Sequence, residues 1–158
     1  MNNSILSRLK NRENYTRIFF KLEPDEHGWP PVGAESMWAV KVGENEYKID
    51  NIPFYVRGIS VGDIVSTKEE DKVLYYNKLL KDSGNCTIRV FIQNENVKET
   101  EGFLRTFLKE KGAEIEGLNE GFFAIDISPS VDLEIIMDHL REGEKRGEWA
   151  FEEGKIRK

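Results

Sequence analysis

The sequence has few of the residues that build disulfide frameworks and metal sites. Its 158 residues include one cysteine, Cys86, and two histidines, His27 and His139. A single thiol excludes a disulfide within the chain and a cluster of thiolate ligands. Neither histidine belongs to a metal-binding spacing such as His-x-x-x-His, and we expect His139 to lie on the surface. We therefore expect no metal and no cofactor, and equal folding with a reductant and with a chelator.

Long apolar runs are also missing. The N-terminus lacks the apolar stretch of a signal peptide, and no run approaches the roughly 18 apolar residues that a membrane helix needs. With the single cysteine, this predicts a soluble cytoplasmic protein without a membrane partner. Residues 1–16 are polar and irregular, which predicts a loose N-terminal segment or a short docking helix around Ile5 and Leu9.

Basic residues are fewer than acidic ones. The chain has 23 Lys and Arg against 29 Asp and Glu, a net charge of −6. Residues 97–158 hold 10 of the basic and 15 of the acidic residues, so they carry most of the excess. Nucleic-acid binding normally needs a basic stripe, so a nucleic-acid partner is disfavoured. An acidic surface favours a basic protein partner, although the same charge can serve solubility alone.

Short aromatic and β-branched runs predict an antiparallel β half over residues 17–85, curled towards a small barrel. Turn residues separate the runs. Residues 54–61 are compatible with a short helix or a packed loop, and the last run could also be helical. The predicted strands are 17–22, 35–42, 46–50, 64–67 and 73–80.

Residues 86–158 show a different order, β-α-β-β-α-β, which predicts a ferredoxin-like half. Apolar residues spaced four apart predict one helix over 97–111 with a single apolar side, and a second helix follows Pro129. The whole chain is then an α+β protein, with both halves packed as one compact unit. The predicted apolar side of the first helix consists of Phe103, Leu104, Phe107 and Leu108, and the predicted caps are Gly112 for the first helix and Ser130 or Asp132 for the second.

Catalytic motifs are missing as well, since no nucleophile elbow, phosphate loop or dinucleotide-binding glycine pattern occurs. Glu35, Asp50 and Asp63 lie beside aromatic or proline residues, where a desolvated carboxylate can act in acid–base catalysis. Each can equally accept backbone N–H groups in a turn, which we favour for Asp50 and Asp63. Cys86 is expected to be a buried thiol rather than a nucleophile. We assign no catalytic residue.

Two aromatic residues in predicted loops, Trp29 and Tyr55, could anchor a partner as rigid interface residues do. Packing in the core is the alternative for both. Glu148 and Glu152 lie in the acidic C-terminal region, where charge would speed the capture of a basic partner. The candidate binding residues are therefore Trp29, Tyr55, Glu35, Asp50, Asp63, Glu148 and Glu152.

A longer pattern runs through nearly the whole chain. It consists of Glu35-Ser-Met-Trp-Ala39, Asp50-Asn-Ile-Pro-Phe54, Gly58-Ile59, Gly62-Asp-Ile-Val65, Ser83-Gly84, Thr87-Ile-Arg-Val90, Gly143-Glu144, Gly147 and Trp149. In combination it resembles an uncharacterised bacterial family described as a domain of unknown function. The resemblance implies no activity. Where that family has a His-Ser pair, this chain has Asn85-Cys86, which argues against catalysis there.

Three functions fit these observations. The favoured one is a non-catalytic protein-binding module such as a toxin-neutralising immunity protein, by analogy with other small acidic α+β proteins. The second is a small-ligand or nucleotide-sensing domain with its pocket between the halves. The third is an enzyme that uses Glu35, Asp50 or Asp63.

Overall fold

The computed structural model describes residues 14–157. The chain divides into two units between Ser83 and Gly84, slightly before the boundary predicted after residue 85. The predicted helix around Ile5 and Leu9 lies outside the described residues, as does most of the predicted loose segment 1–16. Among residues 14–157, no helix is long and apolar enough to cross a membrane.

The first unit is a closed barrel of five strands. They are β1 (Tyr15–Lys21), β2 (Ala34–Gly43), β3 (Glu46–Ile49), β4 (Ile64–Glu70) and β5 (Val73–Lys81). Strands adjacent in sequence pair antiparallel. The barrel closes through a parallel pairing of β1 with β5, in which Ile18 lies opposite Leu74. Closure gives the outer strands partners, which removes the unpaired edges of an open sheet.

The interior of the barrel is filled by alternate residues, because successive side chains of a strand point to opposite faces. In β1, Ile18 and Phe20 are buried while Arg17 and Lys21 are exposed. The predicted strand over 73–80 is confirmed. The buried core consists of Ile18, Phe20, Met37, Ala39, Tyr47, Ile49, Val56, Ile59 and Val65.

Two long connections belong to this barrel. Residues 22–33 join β1 to β2, and residues 50–63 join β3 to β4. The segment 54–61 is a packed loop rather than a helix, and it inserts Val56 and Ile59 into the barrel core. Such loops on a rigid scaffold are common positions for binding residues.

The second unit has the predicted element order β-α-β-β-α-β. Its elements are β6 (Cys86–Ile92), α1 (Val97–Glu110), β7 (Glu114–Asn119), β8 (Phe122–Ile127), α2 (Leu133–Lys145) and β9 (Trp149–Lys155). The strand order is β7-β8-β6-β9, and all pairings are antiparallel. The chain is therefore an α+β protein in which strands predominate. Both helices share one core with alternate residues of β6 and β8.

The apolar side of α1 is narrower than predicted. Leu104 and Leu108 are buried and Phe107 is half-buried, but Phe103 is 71% exposed. With about 3.6 residues per turn, the stripe centred on Leu104 and Leu108 leaves Phe103 beyond its edge. The prediction that Phe103 belongs to the core is therefore wrong.

The helix ends follow their sequence signals. Gly112 follows α1 with a φ of +92°, the left-handed conformation that favours glycine at a helix C-terminus. Asp132 caps α2, because its carboxylate accepts hydrogen bonds from the backbone N–H groups of Glu134 and Ile135. Asp132 rather than Ser130 therefore caps the N-terminus of this helix.

Candidate functional site

An aromatic pocket of about 480 Å³ opens on the barrel unit. Its lining residues come from β1, β5 and the two long connections. Val56 and Ile59, which are buried in the barrel core, form its inner wall. The aromatic residues that line it are Phe20, Trp29, Tyr55 and Tyr76, and the charged ones are Lys21, Glu23, Asp25 and Arg57.

Trp29 stands on a turn that Asp25 organises. The Asp25 Oδ1 atom accepts hydrogen bonds from the backbone N–H groups of His27, at 2.8 Å, and of Trp29, at 3.0 Å. The backbone N–H of Asp25 donates in return to the Trp29 carbonyl at 2.7 Å. Gly28 has a φ of +76°, which glycine adopts without a steric penalty. The half-buried indole of Trp29 therefore projects from a backbone that is fixed by a carboxylate.

Tyr55 stands on a segment that is held by Glu35, a residue of β2. Glu35 Oε2 accepts from the N–H of Phe54 at 2.7 Å, and Oε1 accepts from the N–H groups of Tyr55 and Val56 at 2.9 Å each. Hydrogen bonds to a charged acceptor are about twice as strong as neutral ones. Burial raises the pKa of the Tyr55 phenol, and the negative charge of Glu35 raises it further.

The two predicted anchors meet although they lie in different loops. The rings of Trp29 and Tyr55 are edge to face, with centroids 5.6 Å apart and an interplanar angle of 67°. On the same pocket, Phe20 and Tyr76 are stacked at 4.9 Å with an angle of 22°. Aromatic pairs in such geometries contribute roughly 0.5–1.5 kcal/mol beyond their buried area. The pocket walls are therefore mutually supported rather than isolated side chains.

Asp63 is fully buried and organises a turn. Its carboxylate accepts from the backbone N–H groups of Ser60 and Ser83, both at 2.8 Å. The preceding Gly62 has a φ of +85°, so the turn needs glycine there. Asp50 is half-buried at the end of β3, and its backbone N–H donates to the Trp38 carbonyl at 2.9 Å. The hydrogen bonds of Asp63 favour the turn role over acid–base chemistry.

The two acidic candidates of the second unit are engaged in ion pairs. Glu152 Oε1 lies 2.9 Å from Nε of Arg89, whose side chain is fully buried. Glu148 Oε2 accepts a hydrogen bond from Arg146 Nη2 at 3.1 Å. The charge of Glu152 therefore compensates a buried cation, whereas Glu148 forms a more exposed pair.

His139 is half-buried, so it is less exposed than predicted. Its ring stacks on Phe107, with centroids 3.7 Å apart. Burial lowers the pKa of His139, and the positive charge of Arg146 lowers it further, against the opposing charges of Glu148 and Glu142. The residues from 14 to 157 include no group of three or more His, Cys, Asp or Glu that could hold a metal ion.

Cys86 is buried at the start of β6. Its Sγ atom accepts a hydrogen bond from the backbone N–H of Arg157 at 3.3 Å. The Arg157 guanidinium also donates to backbone carbonyls, among them that of Val131 at 2.8 Å. The thiol thus lies where Arg157 connects the end of the chain to the segment around Val131, which is a structural environment.

Several pocket residues are not among the candidates predicted from the sequence. The stretch Asp25-Glu-His-Gly28 carries a signal that could have identified Asp25, since aspartate often bonds to backbone N–H groups of a turn that also contains glycine. Phe20 and Tyr76 gave no such signal. They are strand residues far apart in sequence, and only the closed barrel brings them to one pocket.

Comparison with known proteins identifies the family. A structure described as "Novel crystal structure of a hypothetical protein from Neisseria gonorrhoeae" is similar, with a TM-score of 0.78 and 20% identity over 90% of this chain and 96% of that chain. At this identity the likeness shows a shared fold. No curated protein matches the chain. The family model described as "Domain of unknown function (DUF4265)" matches residues 35–151. The chain therefore belongs to the DUF4265 family, which confirms the resemblance to a domain of unknown function.

Proposed function

We propose that this protein is a non-catalytic protein-binding module whose partner inserts an anchor segment into the aromatic pocket of the barrel. The observation that carries this proposal is the meeting of Trp29 and Tyr55, both half-buried, 5.6 Å apart in a pocket of about 480 Å³. Tryptophan and tyrosine are enriched among the residues that dominate binding energy at interfaces.

The loops that carry these rings support the proposal. Asp25 fixes the turn of Trp29 with two hydrogen bonds to backbone N–H groups, and Glu35 fixes the segment of Tyr55 with three. Residues that are already ordered lose less conformational entropy on binding. Glu35 thus acts as a positioning residue for an anchor.

The same hydrogen bonds make catalysis by these carboxylates a weaker hypothesis. A general base must reach the proton that it removes, within about 2.6–3.2 Å or through one water. Both oxygens of Glu35 and both oxygens of Asp63 already accept backbone N–H groups. These carboxylates are better suited to holding loops than to exchanging protons with a substrate.

The specific form of the proposal is a toxin-neutralising immunity protein that acts in the cytoplasm on a basic toxin domain. The support is the net charge of −6 and its concentration in residues 97–158, together with class-level analogy. Because Glu152 is committed to Arg89, we assign the capture of a basic partner to more exposed carboxylates such as Glu142 and Glu153. Nucleic acid is disfavoured as the partner.

We also propose that the second unit is a ferredoxin-like domain. Its support is the element order β-α-β-β-α-β together with the antiparallel strand order β7-β8-β6-β9. In this proposal the second unit supplies the acidic surface, and the barrel supplies the anchoring pocket.

The test begins with a pull-down from the native host, followed by surface-plasmon kinetics on the captured partner at two salt concentrations. We expect Trp29→Ala to raise the off-rate about 30-fold, which corresponds to an anchor of about 2 kcal/mol. Glu142→Gln combined with Glu153→Gln should slow the on-rate at low salt and change the off-rate little.

The matched control is Phe103→Ala, because Phe103 is an exposed aromatic residue outside the pocket. It should leave both rates unchanged. An off-rate that Trp29→Ala and Tyr55→Ala fail to alter would overturn the anchoring pocket. An acidic partner, or an on-rate indifferent to salt, would overturn electrostatic capture.

A small ligand in the same pocket is a second candidate function. A volume of about 480 Å³ falls within the roughly 300–1,000 Å³ of small-molecule sites, which are also lined by aromatic residues with a few polar groups. All lining residues belong to the barrel unit. Native mass spectrometry of the purified protein should then show a bound metabolite that is lost in Trp29→Ala.

A further inference from the structure

The chemistry of the aromatic pocket constrains the segment that it can accept, and this inference rests on the proposed function. The charges at the pocket cancel, since Lys21 and Arg57 are matched by Glu23 and Asp25. Lys21 also lies 3.8 Å from Glu70, and Asp25 is engaged by backbone N–H groups. A strongly charged ligand of either sign would therefore meet as many groups of its own sign as of the opposite sign, so the pocket offers no net attraction to charge.

The apolar surface of the pocket consists mostly of ring faces and edges. Phe20 and Tyr76 form one stacked pair, and Trp29 and Tyr55 form an edge-to-face pair. Pro30 adds a rigid apolar ring next to Trp29. Aromatic-lined grooves are the surfaces on which SH3, WW and EVH1 domains dock proline-rich segments in the polyproline II conformation.

Proline suits such a surface for a physical reason. A polyproline II segment has no internal hydrogen bonds and is already extended before it binds, with a rise of about 3.1 Å per residue. It therefore loses little conformational entropy on docking. The pocket also loses little conformational entropy on binding, because Asp25 and Glu35 already fix the backbones of Trp29 and Tyr55.

We propose that the aromatic pocket of the barrel binds an extended, uncharged, proline-containing segment of the partner protein. Trp29 and Tyr55 pack against the proline rings, and the N–H groups of Lys21 and Arg57 at the rim donate to the backbone carbonyls of the segment, which proline leaves free. The acidic surface of the second unit is not part of this site.

The test is a two-dimensional ¹H–¹⁵N NMR titration of the full chain with a capped polyproline decapeptide. A Gly-Ser decapeptide of equal length and choline, a quaternary ammonium cation that binds aromatic cages, are titrated in parallel. We expect saturable shifts of the Trp29 indole N–H and the Tyr55 amide with a Kd below about 1 mM, and no saturable shift with either control ligand.

Two pocket variants and one control variant complete the experiment. Trp29→Ala and Tyr55→Ala should each weaken the polyproline affinity at least about 10-fold, or about 1.4 kcal/mol, and their spectra show directly whether they remain folded. Phe103→Ala should bind as the wild type does. Polyproline shifts that avoid the pocket, or choline shifts without polyproline shifts, would overturn the inference.

Failure of this inference is distinguishable from failure of the proposed function. If polyproline does not bind but Trp29→Ala still raises the off-rate of the native partner, the proline inference is wrong and the anchoring pocket stands. If polyproline binds at Trp29 but the native partner is indifferent to Trp29→Ala, the proposed function is wrong instead.

Discussion

The two units of this chain use carboxylates in different ways. In the barrel, Glu35 and Asp63 accept hydrogen bonds from backbone N–H groups of the connection 50–63, and Asp63 accepts one more from Ser83. In the second unit, Glu152 faces the cation of Arg89, and Asp132 caps a helix. The barrel therefore uses carboxylates to hold loops, whereas the second unit uses them within and between regular elements.

This difference indicates where a binding site can form. The connections of the second unit are short, and its helices and sheet share one apolar core. The barrel has long connections that expose aromatic rings, and their shape depends on a few charge-assisted hydrogen bonds. Loops of this kind tolerate sequence changes, but the shape of a site on them depends on each carboxylate that holds a loop.

The largest expected effect tests the ion pair of the second unit. Glu152→Ala removes the carboxylate that lies 2.9 Å from Nε of the buried Arg89. Breaking a buried pair by removing one partner typically costs about 3–5 kcal/mol, and we expect a loss near 3 kcal/mol because Glu152 is partly exposed. Urea denaturation measures it. The control is Glu153→Ala, an exposed neighbour, and an equal loss in both variants would contradict the structural role of Glu152.

The next effect tests the tight packing of the same unit. A Cβ atom at Gly143 would overlap the indole ring of Trp149, which is buried and donates a hydrogen bond to the Leu140 carbonyl at 2.9 Å. Overpacking of this kind costs about 1–3 kcal/mol, so Gly143→Ala should lower the thermal midpoint. Gly102→Ala on α1 is the control, because no atom lies within 4 Å of the added Cβ. It should instead stabilise the helix by about 0.5–1 kcal/mol.

The corresponding test in the barrel concerns the hydrogen bonds by which Glu35 holds the backbone of residues 54–56. In Glu35→Gln, an amide N–H₂ replaces one of the two carboxylate oxygens that accept backbone N–H groups in the wild type. A buried donor without an acceptor costs about 1–3 kcal/mol, and we expect a loss of about 1–2 kcal/mol by urea denaturation. The variant should also lower the pKa of the Tyr55 phenol, because one of the two causes that raise it is removed.

A control variant shows which outcome would contradict this role of Glu35. Glu44→Gln changes an exposed glutamate of the β2–β3 turn and should leave both stability and the tyrosine titration unchanged. If Glu35→Gln behaves like Glu44→Gln both in urea denaturation and in a spectrophotometric titration at high pH, Glu35 does not hold the segment of Tyr55. If Glu35→Gln binds the partner with a wild-type off-rate, these hydrogen bonds are dispensable for anchoring.

The smallest effect concerns pH and His139. Burial and Arg146 lower the pKa of His139 in the folded state, so the unfolded chain binds more protons as the pH falls below about 6.5. Stability rises with pH wherever the unfolded state binds more protons. Acidification from about pH 7 should therefore destabilise the wild type by less than about 1 kcal/mol through this residue, because the ring is partly exposed.

His139→Gln should remove that part of the pH dependence, and His27→Gln, an exposed control, should retain it. Chemical denaturation at a series of pH values measures the difference between the two variants. A His139→Gln protein whose stability falls with acid as steeply as that of the His27→Gln protein would show that His139 does not titrate as described.

Local patterns in the sequence predicted most of the helices and strands, although they left residues 54–61 open between a helix and a loop. The short aromatic and apolar run Arg17-Ile-Phe-Phe-Lys-Leu22 predicts a strand, and Pro129-Ser130 predicts a helix start, because these signals depend on neighbours within a few residues. The family pattern from Glu35 to Trp149 can likewise be recognised without knowledge of any contact between residues. Composition alone argued against a disulfide framework, since the chain has one cysteine.

Pairings between distant residues could be decided only by the tertiary structure. The parallel closure of β1 on β5 places Phe20 beside Tyr76, and the packing of two separate loops places Trp29 against Tyr55. Packing between distant segments likewise determines that Phe103 is exposed and that Arg89 is buried. A side chain's burial and charge compensation depend on which remote segment packs against it, and that information is not carried by the local residue pattern.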